Sequence, residues 1–369
     1  MLRSFTLKNF RCFQNLTLEP LERVNLIAGK NNVGKTSLLE AIFIYINPTN
    51  PESLFQLDRL RGIKRGSQLG IKRGSQFEDV EEVRGFFFDQ DIDKVIELSS
   101  VEENNLQRSL RIRFPELGES SFSIFDSRVP KDNAPFQANE SLTTEVRQYS
   151  GFFVEYEDPT SKSSPLRIYV TPDGRLPSRY RREKFPLGIY LTTGVRSPRE
   201  DAERFSNLER VGRQDEVLKT LRLLEPRLQR LTLLVVDREP IIHGDIGMNE
   251  LVPLPLMGEG IGRLLSIILA IANAKGGTIL IDEIENGLHY SVLTDVWKAI
   301  ADAARRADVQ IFATTHSLEC IRAAHEAFES SEKYDFRYHR LERIKDEIRA
   351  VTYDQENLAI SDEMNLEMR

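Results

Sequence analysis

The sequence predicts an α/β fold, a parallel sheet carrying a P-loop, on three observations. Residues Gly29 to Ser37 read Gly-Lys-Asn-Asn-Val-Gly-Lys-Thr-Ser, an ungapped phosphate loop GxxxxGK[ST] between an apolar run, Val24 to Ala28, and a helix-like Leu38 to Phe43. A second apolar run, Thr278 to Ile281, ends in Asp282-Glu283, and a third, Val309 to Ala313, ends in Thr314-Thr315-His316-Ser317. Near-continuous apolar runs mark strands covered on both faces, and ligands in such sheets sit at the carboxyl ends of the strands.

The loop needs its glycines because Gly29 and Gly34 admit backbone conformations closed to residues with a Cβ. The amides of Lys30, Asn31, Asn32 and Val33 through Ser37 can then turn inward around phosphate oxygens at the positive end of a helix. Lys35 would reach the β- and γ-phosphates and the Thr36 hydroxyl would ligate Mg²⁺, so ATP and Mg²⁺ are the expected ligands. Asp282 is the expected second Mg²⁺ ligand and Glu283 the expected general base orienting the attacking water.

Bulk properties bound the rest. A chain of 369 residues can bury a large core, and a formal net charge of -7 does not suit a nucleic-acid coat, though a local basic patch stays compatible with it. Two cysteines, Cys12 and Cys320, are too few for a disulfide framework or a zinc cluster, which points to a reducing compartment. The N-terminus alternates polar and apolar residues, unlike a signal peptide, and no run of about 18 apolar residues occurs. A cytoplasmic protein with no membrane partner is expected.

In chain order, Leu2 to Leu18 reads as two strands around Asn9-Phe10-Arg11-Cys12-Phe13, ahead of the strand that enters the loop. Asn47-Pro48-Thr49-Asn50-Pro51 breaks the chain after the loop helix. The heptapeptide Gly-Ile-Lys-Arg-Gly-Ser-Gln occurs twice, at 62–68 and 70–76, and with Arg59 and Arg61 makes a basic stretch that reads as solvated loop or as phosphate-backbone contact. Period-two segments at 95–98, 109–114, 122–125, 152–156, 166–170 and 187–191 predict an antiparallel sheet, a β-rich insertion. A second basic cluster, Arg175 to Lys184, reads as surface. Helical patterns run from Arg199 to about Leu228 without a sustained heptad, so no coiled-coil arm is expected. Strand-like Phe336 to Leu341 and Ile348 to Tyr353 close the chain. The organisation expected is an N-terminal half of a nucleotide-binding domain at 1–46, a basic loop and β-rich insertion at 47–198, and a helical segment with the C-terminal half at 199–369.

Four further strings carry a resemblance. They are Asn9-Phe10-Arg11 just before the loop, Gly258-Glu259-Gly260 at a helix start, Glu285-Asn286-Gly287-Leu288-His289 after Asp282-Glu283, and the Thr-Thr-His-Ser strand end. Their order resembles ABC-type ATPases rather than helicases or small GTPases. Their wording looks most like the OLD/RecF-like stand-alone ATPases of the SMC-related P-loop class, a group that carries the AAA label. The resemblance covers 1–46 and 251–327. RecF proper is a poorer match, and OLD proper carries a Toprim nuclease domain for which the residues after His316 are too few.

The resemblance implies an ABC-type ATPase head with the β-rich insertion between loop and signature. It places Arg11 against bound nucleotide and makes Gly258, Glu259 and Gly260 the signature that contacts the γ-phosphate of a nucleotide held by another subunit. Gly258 stands where a serine is usual, and Ile261 where a glutamine is usual. His316 becomes the switch histidine, a catalytic residue with Lys35 and Glu283. Gln56 reads equally as the loop glutamine that links metal to a moving subdomain or as an ordinary loop residue. The implied partners are a second copy in a homodimer, DNA, and a separately encoded nuclease or toxin, in anti-phage defence or DNA maintenance. A nucleotide-occupied scaffold with negligible turnover is the alternative. A transporter subunit fits less well, given the insertion and the missing Ser-Gly-Gly.

Overall fold

A computed structural model describes residues 1–48, 50, 53–54, 56–57, 83–115, 152–160, 166–170, 185–193 and 197–363. Both basic clusters, the duplicated heptapeptide and the segment 122–125 lie outside these residues.

Among the described residues, two six-stranded sheets and one three-stranded sheet organise the fold. β1 (Leu2–Phe10) and β2 (Phe13–Leu18) form an antiparallel pair with Phe5 opposite Leu18. β4 (Ile96–Glu102), β5 (Gln107–Arg113), β6 (Phe152–Glu157) and β7 (Leu166–Val170) extend it in the order β2-β1-β4-β5-β6-β7. The strands read as an insertion therefore complete a sheet that the first residues of the chain begin.

The other large sheet runs β15-β14-β3-β13-β12-β8, with β3 (Val24–Gly29), β8 (Gly188–Leu191), β12 (Thr278–Ile281), β13 (Gln310–Thr314), β14 (Phe336–Ile344) and β15 (Glu347–Tyr353). All neighbours are parallel except β14 and β15. This corrects the antiparallel reading of 187–191, because β8 lies parallel to β12 with Leu191 opposite Ile281. Its alternation has another origin: Ile189 joins one core, while Tyr190 packs against Phe43 on the other face at 5.7 Å between ring centroids.

Period two along the parallel strands divides the interior into two cores. Ile279, Ile281, Ile311 and Ala313 face a layer of helices: α2 (Pro198–Glu209), α3 (Gln214–Leu221), α4 (Glu259–Asn273), α5 (Leu293–Ala307) and α6 (Leu318–Glu329). Leu280 and Phe312 face the other way, sharing a core with α1 (Lys35–Ile46) and with Phe5, Leu7, Leu98 and Leu110 of the antiparallel sheet. Helix α1 is apolar around most of its circumference because it lies between the two sheets. That sandwich fixes its N-terminus at the carboxyl ends of β3, β12 and β13.

The three-stranded sheet consists of β9 (Arg230–Val236), β10 (Glu239–Asp245) and β11 (Val252–Pro253), and leads into α4. A final helix, α7 (Gln355–Glu363), follows β15. Among the described residues no helix is long and apolar enough to cross a membrane.

Candidate nucleotide site

The loop geometry forces both glycines. Gly29 has φ +142°, and a Cβ there would lie 2.5 Å from the Leu341 carbonyl oxygen. Gly34 has φ +98°, and its Cβ would lie 2.6 Å from Cys12 Sγ and 2.7 Å from a Phe13 ring carbon. Gly34 caps α1 without a side-chain hydrogen bond, so no cap side chain covers the positive end of the helix, where anions bind. Lys35 folds back over the loop, and its Nζ donates to the carbonyls of Gly29 at 2.7 Å and Lys30 at 3.0 Å. Burial pulls its ammonium below the usual lysine range, against the opposing pull of Asp282, Glu283 and Glu285.

Strand order delivers the acidic residues. Thr36 Oγ1 donates to Asp282 Oδ2 at 3.0 Å across 246 positions of sequence. Thr314 Oγ1 donates to Asp282 Oδ1 at 2.6 Å and accepts the Glu283 amide at 2.8 Å. Glu283 has φ +50°, a left-handed turn that lifts its side chain out of the strand line. Its Oε1 lies 3.5 Å from His316 Nε2, and the His316 amide donates to Glu285 Oε1 at 2.8 Å. A buried arginine, Arg263 of α4, donates to the backbone carbonyls of Thr192, Asp282 and Glu283.

These groups surround a cleft of about 570 Å³. Of the residues expected from sequence, Asn31, Asn32, Gly34, Lys35, Thr36, Ser37, Asp282 and His316 line it. Gly29 and Lys30 stand behind, holding Lys35, and Val33 is buried in the core beneath. Glu283 reaches the cleft through its contact with His316. Arg11 pairs with Glu40 of α1 at 2.6 Å and lies over the Phe86 ring at 4.6 Å, so it is Glu40, not Arg11, that lines the wall. Gln56 lines a different cleft with Phe43, Glu200 and Arg204.

The turn of Gly258, Glu259 and Gly260, expected as the signature, does not line this cleft. Gly258, with φ +119°, caps α4, and a Cβ on Gly260 would meet the Gly287 carbonyl oxygen at 2.4 Å. Gly287 in turn would meet Glu259 Cγ at 2.7 Å, so Gly258 to Gly260 rests on the Glu285–His289 loop. The sequence reading missed Cys12, Glu40, Tyr190, Thr192 and Thr193 in the cleft wall and Arg263 behind it. Glu40 follows Thr36 by one turn of α1, whereas Tyr190, Thr192 and Thr193 reach the loop only through the strand order that sets β8 beside β12.

Thr36 and Asp282 offer a hydroxyl and a carboxylate, hard oxygens suited to Mg²⁺. Among the described residues no cluster of three or more His, Cys, Asp or Glu could hold an ion unaided.

Residues 24–322 match the family described as "AAA domain, putative AbiEii toxin, Type IV TA system". The chain belongs to that family. An ATP/GTP phosphatase of Helicobacter pylori is 23% identical over 336 residues, spanning 87% of this chain and 86% of the relative. The DNA replication and repair protein RecF of Pseudoalteromonas translucida is 57% identical over 42 residues, 11% of this chain and 12% of that protein. The fold is similar to the SmcHead solved with the C-winged helix domain of ScpA, at a TM-score of 0.53, 12% identity and 99% coverage of both chains. This AAA-domain chain thus has the P-loop fold of an ABC-type, SMC/RecF-like ATPase head.

Proposed function

We propose that the protein is a Mg²⁺-dependent ATPase that dimerises head to tail around ATP and gates DNA or a separately encoded effector. The observation that carries this reading is the 3.0 Å approach of Thr36 to Asp282 at the mouth of the loop cleft, beside the Glu283–His316 pair. A nucleotide on the loop amides would place its terminal phosphate between the N-terminus of α1 and this acidic edge. When bound, Mg²⁺ would neutralise phosphate charge, held by Thr36 and Asp282. Lys35 and the loop amides stabilise charge on the transferring phosphoryl group, Glu283 orients the attacking water and accepts its proton, and His316 reads the γ-phosphate.

The signature supports a second copy. Gly258 to Gly260 does not line its own cleft, and exposed apolar residues, Leu256 at 77% and Tyr290 at 67%, flank it in sequence and across the neighbouring loop. The site is then composite: Lys35, Thr36, Asp282, Glu283 and His316 from one protomer, Gly258, Glu259 and Gly260 from its partner. The change in dimer geometry on hydrolysis is the output, delivered to DNA or to a nuclease or toxin in anti-phage defence or DNA maintenance, in the cytoplasm. The OLD-like strings support a stand-alone ATPase of that kind.

The absence of a hydroxyl at Gly258 favours a second reading, in which ATP is structural and turnover negligible. Steady-state phosphate release from the wild type and Lys35→Ala, with and without DNA, separates the two. Lys35-dependent release supports the ATPase, and release no greater than that of Lys35→Ala contradicts it.

A further inference from the structure

The parallel register brings a third hydroxyl residue to the strand ends. Leu191 of β8 lies opposite Ile281 of β12, which lies opposite Ala313 of β13. The next residues, Thr192, Asp282 and Thr314, therefore form one row across the carboxyl edge of the sheet. Ligands bind at such edges. Asp282 and Thr314 already belong to the proposed site; Thr192 and the adjacent Thr193 line the same cleft across from the loop.

Two observations separate this step from an ordinary loop. Its backbone is fixed: Asp282 donates its amide to the Leu191 carbonyl at 2.9 Å, and Arg263 Nη1 donates to the Thr192 carbonyl at 3.0 Å. Yet the Thr192 hydroxyl, shielded from solvent, has no hydrogen-bond partner among the described residues. Thr36 and Thr314 both spend theirs on Asp282. A buried hydroxyl without a partner is costly to keep. With the backbone held, rotation about χ1 is the freedom left to Thr192, and a step of about 120° carries the hydroxyl into the place the methyl holds. A hydroxyl can donate to a phosphate oxygen without adding charge beside Asp282 and Glu283.

We propose that Thr192 and Thr193 form a second phosphate-contacting edge, donating hydroxyl hydrogen bonds to the γ-phosphate of ATP and so distinguishing ATP from ADP. The proposal deepens the nucleotide reading above and rests on it. Because Arg263 ties Thr192 to α4, the helix that begins at the signature, the same edge links γ-phosphate occupancy to the face offered to a second protomer.

The test is equilibrium binding by calorimetry of a non-hydrolysable ATP analogue and of ADP, each with Mg²⁺. The proteins are wild type, Thr192→Val, Thr193→Val, the double variant and Thr192→Ser. Loss of hydrogen bonds to a charged oxygen should weaken the analogue about tenfold in the double variant and leave ADP within about twofold, with Thr192→Ser close to wild type. The exposed Thr193→Val tests the edge independently of packing around Thr192. Unchanged analogue affinity in the double variant, or an equal loss for ADP, overturns the proposal. Wild-type protein that binds neither nucleotide overturns the P-loop reading itself.

Discussion

Thr314 Oγ1 lies 2.6 Å from Asp282 Oδ1, and the same oxygen accepts the amide of Glu283, so one hydroxyl on β13 orients both acidic residues at the end of β12. Thr314 is fully buried, and solvent cannot replace these bonds. Thr314→Val keeps the shape and removes both. The Mg²⁺ concentration for half-maximal phosphate release should rise, and turnover should fall on the order of tenfold or more, for a stability loss of about 1–3 kcal/mol. Magnesium titrations of phosphate release check this, and an unaltered profile would separate Thr314 from the site.

Arg263 sets the distance between α4 and the acidic edge through three backbone carbonyls. A lysine has one ammonium on a flexible stem and cannot reproduce that fork. Arg263→Lys should keep nucleotide binding, lose most turnover and melt several degrees lower. Calorimetric binding and a thermal melt on one preparation make the comparison.

Gly34 is closed to any side chain by its φ of +98° and by Cys12 and Phe13. Gly34→Ala should abolish binding of a fluorescent ATP analogue. Cys12→Ala leaves the loop intact and should bind as wild type. Pairing the two should not rescue Gly34→Ala, because the Phe13 contact and the left-handed backbone persist.

His339, fully buried on β14, shares a hydrogen bond with Thr352 at 3.0 Å, and burial pushes its imidazole down to about 3. The unfolded chain takes up that proton near the ordinary value of about 6.5. Below that pH the unfolded state binds more protons, so this contribution to stability is complete above about 6.5 and is lost as pH falls towards 3. Melting temperatures from pH 7.5 to 5 should decline in the wild type and decline less in His339→Phe.

The strings that meet at the cleft were legible because each is local: a loop between strand and helix, two carboxylates after one apolar run, a histidine after another. Ser317 before α6 and Ser197 before α2 cap their helices, accepting the amides of Cys320 at 3.1 Å and Glu200 at 3.3 Å. What depends on strand order was not legible. Gly188 to Leu191 alternates like an antiparallel strand, yet it pairs with a strand ninety positions on in the parallel sheet. The β9–β10 hairpin escaped notice because its two-residue turn, Asp237-Arg238, takes φ +50° and +69° without a glycine. Leu233 to Val236 is also a continuous apolar run with no period to read. Arg11 was placed against nucleotide by its string, whereas its partner Glu40 comes from the buried face of α1 and redirects it.

The composite site stands or falls on the mass of Glu283→Gln in Mg²⁺ and ATP, measured by sedimentation at nucleotide concentrations that fill the cleft. This substitution removes the base and keeps the shape, so ATP should persist and hold two chains together. The account predicts twice the 42.4 kDa chain mass with ATP and a return to 42.4 kDa with ADP, with no phosphate release. A single-chain mass in ATP, or full turnover by this variant, would contradict it.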